Sequence, residues 1–120
     1  MRSARILLAL LLIAHLPSSQ AAPAAATTDL AHEVVTLIKR HCAECHTNGK
    51  YQGSLSLDER DAILKSRAVL VGKSAQSLLM KRITDPNPAT RMPLKGDPLG
   101  ADQIDTLRRW IDEKLPWPEN

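Results

Sequence analysis

The sequence predicts an all-α domain. Apolar residues recur at intervals of three and four wherever proline or glycine does not intervene, and no stretch alternates long enough to build a sheet. The predicted first helix also runs into the only two cysteines of the chain, in "RHCAECHT" at residues 40–47. With 120 residues the chain has room for one small domain.

The opening residues are set apart from that domain. Arg2 and Arg5 precede an unbroken apolar run from Ile6 to Ala14, and His15, Leu16, Pro17 and the small-residue stretch "SSQAAPAAA" follow. Positive, apolar and small residues in that order predict a secretory signal over residues 1–21, with cleavage after Ala21, or after Ala22 or Ala24 among the repeated alanines. The apolar run is about half the roughly 20 residues of a spanning helix, so no stable membrane anchor is expected after cleavage. Removing Arg2 and Arg5 from the sixteen basic side chains leaves fourteen against thirteen acidic ones. Without a basic cluster or interleaved aromatics, nucleic-acid binding has no support.

The elements follow in order. Residues 22–29, rich in alanine, proline and threonine, read as a flexible lead-in to a domain over residues 30–118. Leu30, Val34, Leu37 and Ile38 predict a first helix from about residue 30, with Thr28 or Asp29 as its cap. "TNGKYQGSL" is predicted as loop. Leu55 and Leu57 point inward before a two-turn helix starting at Asp58. Ser74 is the expected cap of a helix carrying Leu78, Leu79 and Ile83, which Asp85, Pro86 and Pro88 stop. A long proline-punctuated loop, "DPNPATRMPLKGDPLG", follows, and long loops in small domains are commonly functional. The last predicted helix has Gly100 as cap and Gln103 at its third position, with Leu99 and Ile104 as a staple across its start. Ile104, Leu107, Trp110 and Ile111 form its buried stripe, while Asp102, Asp105, Arg108 and Arg109 face water.

No phenylalanine is present, and Tyr51, Trp110 and Trp117 are the only aromatics. So small a chain has difficulty burying enough apolar area by itself, and a bound group that fills the core would relieve it. The cysteine motif suggests which. A redox dithiol explains Cys42 and Cys45 but leaves His46 without a role, and zinc lacks the second ligand pair that its tetrahedral sites commonly draw from elsewhere in the chain. One covalently attached haem c accounts for every residue of C-x-x-C-H: Cys42 and Cys45 form thioethers and His46 meets the iron. Attachment outside the cytoplasm agrees with the leader.

For the second axial position the candidates are Met80, Met92, His32, His41 or none. Met80 reads as core filling on a helix. His41 is tied by sequence to the same side of the ring as His46, and His32 has several ordinary roles open to it. Met92 lies in the long loop before Pro93, far enough from His46 to reach the opposite face, and is the favoured ligand. A histidine and a thioether leave no open site, so electron transfer rather than bond-making is the expected task. The alternatives are a haem-based sensor or small peroxidase with an open or displaceable sixth site, or the electron-transfer subunit of a larger dehydrogenase complex.

"CAECHTNGKYQGSLSLDERDAIL", "SLLMKRITDPNPATRMP" and "QIDTLRRWIDEKLPWP" resemble, in order and spacing, the planctomycete-type cytochrome c domain, a branch of the class I monohaem cytochromes c. The likeness runs over about residues 31–118. It implies a cytochrome c fold of about four short helices and long loops around one covalently bound haem, with first and last helices crossing beside it. It also implies haem attachment at Cys42 and Cys45, iron ligation by His46 and Met92, and family positions at Arg91 and Trp110. Leu94 stands where the family commonly has a second proline, and "SRAVLVGKSAQ" departs from the family's glycine- and proline-rich form. The expected partners are a redox donor and acceptor, such as a periplasmic dehydrogenase or oxidase, in a periplasmic or otherwise exported setting.

Overall fold

A computed structural model describes residues 24–119 of the chain; the leader expected over residues 1–21 lies outside them. The described residues form five α-helices: α1 Ala24–His41, α2 Ala43–His46, α3 Arg60–Lys65, α4 Leu78–Ile83 and α5 Ala101–Asp112, with 3-10 turns at Gln52–Ser54 and Ser74–Gln76. No strand occurs among them, so the all-α expectation holds.

Helix α1 begins at Ala24, some six residues before the expected start, so residues 24–29 are helical rather than a flexible lead-in. Alanine is the best helix former, and Ala24–Ala26 extend the turn without needing tertiary contacts at every position. The face that Leu30, Val34 and Ile38 create packs against α5, where Leu107, Trp110 and Ile111 are buried. The Thr106 hydroxyl fixes that crossing by donating to Glu33 Oε1 at 3.0 Å.

The start of α5 follows the sequence closely. Gly100 N–H donates to Gln103 Oε1 at 2.9 Å, and Leu99 and Ile104 join the core on either side. Glycine has no side chain to return the bond, so half of a capping box forms. After α5 the chain turns back through Lys114 and Leu115, both at positive φ. Trp110, 0 % exposed, donates from Nε1 to the Pro116 carbonyl at 2.9 Å. Arg60 at the start of α3 gathers the carbonyls of Leu115 and Lys114 at 3.0 and 3.2 Å.

Two helix starts differ from expectation. Helix α3 begins at Arg60 rather than Asp58, because the Asp58 carboxylate is turned back onto the preceding loop. Helix α4 is entered through Ser77, not Ser74. Ser74 is drawn away by Asp112 of α5, which accepts from its N–H at 3.0 Å and its hydroxyl at 2.8 Å. Ser77 is fully buried; its hydroxyl receives the Leu70 N–H at 2.9 Å and donates to the Lys73 carbonyl at 3.0 Å. Gly72, at φ +70, makes the sharp approach that lets its N–H reach the Ile111 carbonyl at 2.8 Å.

Candidate functional site

The cysteine motif sits at a joint. Helix α1 ends at His41, and although Cys42 N–H still bonds the Ile38 carbonyl at 2.9 Å, the backbone of Cys42 leaves helical geometry. Helix α2 then restarts: the N–H groups of Cys45 and His46 donate to the Cys42 carbonyl at 3.2 and 3.1 Å. That single turn brings positions 42, 45 and 46 onto one side, as residues three and four apart on a helix are neighbours.

His46 is 9 % exposed. Its carbonyl accepts from Leu57 N–H at 2.8 Å, and its Nδ1 faces the Leu55 carbonyl at 3.4 Å. With the proton on Nδ1, Nε2 keeps its lone pair for a ligand. Leu55 and Leu57 point inward as expected, but the part played by the Leu55 carbonyl is invisible to sequence reading because every residue has one.

Opposite the motif stands the long loop. Met92 is half-buried, its N–H tied to the Arg82 carbonyl at 2.9 Å, and a cis bond joins it to Pro93. Asp85 shapes the loop's beginning: it accepts from Asn87 N–H at 2.9 Å and the Thr90 hydroxyl at 2.7 Å. Lys95 reaches across to Glu44 of α2 at 3.3 Å, with both side chains well exposed.

Between these walls lies a largely apolar cavity of about 400 Å³. Cys42, His46 and Met92 all line it, together with Leu55, Leu57 and Ile83. A smaller cleft beside it is lined by Cys42, Cys45, His46 and Met92. The structure therefore brings together all four residues singled out from the sequence. Met80 is buried in the core cluster and does not line the cavity. His32 is exposed on α1, with Nδ1 at 2.9 Å from the Thr28 carbonyl. His41 borders the smaller cleft, but its Nε2 takes the Gln103 amide N–H at 3.2 Å.

The chemistry of the donor set narrows the choice. Among the described residues no three His, Cys, Asp or Glu side chains converge as a metal site. Burial pushes the Cys42 thiol up to about 11, the reverse of the lowered value that makes a dithiol reactive. An apolar cavity lined by one thiol and an imidazole, with the second thiol on the adjoining cleft, suits a large flat apolar group tethered through sulfur.

Residues 42–96, from Cys42 to Gly96, match a family model described as Planctomycete cytochrome C. That match supports a planctomycete-type cytochrome c domain over these residues. No curated protein and no solved structure matches the chain. The match suggests a haem-binding, electron-transfer protein, and Cys42 and Cys45 have the spacing of a C-x-x-C-H motif. The match spans the motif, the loop that follows it, α3, α4 and the long loop as far as Gly96, and all of these but α3 contribute to the cavity wall. Helices α1 and α5 lie outside it and supply the crossing on which the domain rests. Trp110 is buried in the core, its ring 6.3 Å from that of Trp117.

Proposed function

We propose that this chain is an exported monohaem c-type cytochrome carrying single electrons between redox partners. Cys42 and Cys45 are assigned to thioether bonds with the haem vinyl groups, His46 to the proximal and Met92 to the distal side of the iron. The observation that carries this reading is that Cys42, His46 and Met92 line one apolar cavity, the last from a loop opposite the first two. Haem, when bound, supplies a one-electron iron couple.

The protein's residues do the rest. His46 presents Nε2 while the Leu55 carbonyl orients its ring. Leu57 and Ile83 keep water from the cavity. The soft thioether of Met92 favours the ferrous state and raises the reduction potential relative to paired histidines. The leader motif of residues 1–21 supports an exported, periplasmic setting, where a dehydrogenase or oxidase would serve as donor or acceptor.

One observation favours a second reading, a haem sensor or small peroxidase. Leu94, 55 % exposed, stands on the cavity rim two residues after Met92, whereas His46 on the opposite wall is buried. Spectroscopy of the purified protein separates the two. The carrier shows a mass gain of one haem that survives acid–acetone extraction, a far-red methionine-to-iron band in the ferric state, and no carbon monoxide uptake in the ferrous state. High-spin ferric iron that binds carbon monoxide selects the sensor or peroxidase.

A further inference from the structure

The ring hydrogen bond of His46 is long. At 3.4 Å between Nδ1 and the Leu55 carbonyl it lies beyond the usual N–H···O range, so a shift of a few tenths of an ångström decides whether it forms. What sets the place of that carbonyl is therefore part of the site. Leu55 N–H is held by the Gln52 carbonyl at 3.3 Å, and Ser54 N–H by the Tyr51 carbonyl at 3.0 Å. The turn thus hangs from Tyr51 and Gln52. At the far end of the loop, Asp58 spans the gap: Oδ1 accepts from Asn48 N–H at 3.0 Å and Oδ2 from the Tyr51 hydroxyl at 2.7 Å. One carboxylate so fastens the loop's exit to its entry, two residues beyond His46, and to the residue from which the 3-10 turn hangs. A charged acceptor makes these bonds stronger than neutral ones.

We propose that Asp58 and Tyr51 are positioning residues for the proximal imidazole, which set the strength of the His46 Nδ1–H to Leu55 carbonyl bond. Neither touches the cavity wall that His46 lines. They act through the loop: the closer the carbonyl, the more basic the imidazole, and the more the ferric state is favoured. The inference rests on the reading of His46 as an iron ligand.

The test uses the holoprotein and the variants Tyr51→Phe and Asp58→Ala, measuring covalent haem by mass, reduction potential by titration, and the His46 Nδ1–H resonance by NMR. Tyr51→Phe is mild, since it removes one exposed hydroxyl and no packing. The expected result is full haem attachment, a potential raised in both variants and more so in Asp58→Ala, and faster solvent exchange of the Nδ1 proton. Because both act through one carboxylate, the double variant should match Asp58→Ala alone. Haem-loaded variants with wild-type potential and an unmoved Nδ1–H signal overturn the inference and leave the haem reading intact. Wild-type protein without covalent haem overturns both.

Discussion

Gln103 serves two neighbours with one amide: its Oε1 takes the Gly100 N–H at 2.9 Å while its Nε2 donates to His41 Nε2 at 3.2 Å. A helix cap is thereby joined to the residue that precedes Cys42. The first bond fixes which end of the amide faces Gly100, and hence requires an unprotonated Nε2 on His41.

Gln103→Ala removes both bonds. The expected loss is about 1 kcal/mol, after a few tenths regained from the helix propensity of alanine. For a domain of this size that lowers the melting temperature by about 4–8 °C. Thermal unfolding of the holoprotein followed by circular dichroism checks it, and an unchanged midpoint would count against the bridge.

The two methionines should part ways. Met80→Ala empties a buried position and should destabilise by about 2–5 kcal/mol while keeping the far-red band. Met92→Ala should abolish the band. Denaturant midpoints and ferric spectra of the two variants read both effects, and the opposite pattern would move the ligand to α4.

Trp110→Ala should cost about 3–5 kcal/mol, the range for emptying a large buried aromatic site. Trp110→Phe keeps most of the packing but strands the Pro116 carbonyl, and should cost about 1–3 kcal/mol. Urea titration of both variants separates packing from hydrogen bonding.

Acid should weaken the fold in a defined window. Asp112 is held below the usual carboxylate value by the Ser74 N–H and then by the Ser74 hydroxyl. Asp58 is lowered by the Tyr51 hydroxyl and the Asn48 N–H, and Asp85 by the Asn87 N–H and the Thr90 hydroxyl. A carboxyl lowered in the folded state adds stability that is complete above its unfolded value and lost as pH falls through the folded one. Urea midpoints should therefore be flat above about pH 5 and fall below the ordinary aspartate value near ~3.9. Asp112→Asn should shallow that fall, with Asp58 and Asp85 accounting for what remains.

Local patterns were readable in the sequence and distant ones were not. Gly100, Gln103, Leu99 and Ile104 lie within five positions of one another, and that helix start came out as expected. The choice between Ser74 and Ser77 could not be made locally, because Asp112, 38 positions away, makes it. The start of α3 shifted for a similar reason: Asp58, itself a good helix starter, is committed to Asn48 and Tyr51. At the site, side-chain chemistry singled out Cys42, Cys45, His46 and Met92. The acceptor at Leu55 is backbone, which carries no residue signature, and Asp58 looked like any charge at a helix entrance.

The contact between Glu33 and Thr106 joins residues 73 positions apart, and α1 finds its chief partner in α5. Closing so long a span is entropically slow, so the covering of Val34 and Ile38 is a late event for the growing chain. Until α5 arrives, the helix that leads into the "CAECH" segment lacks its chief partner.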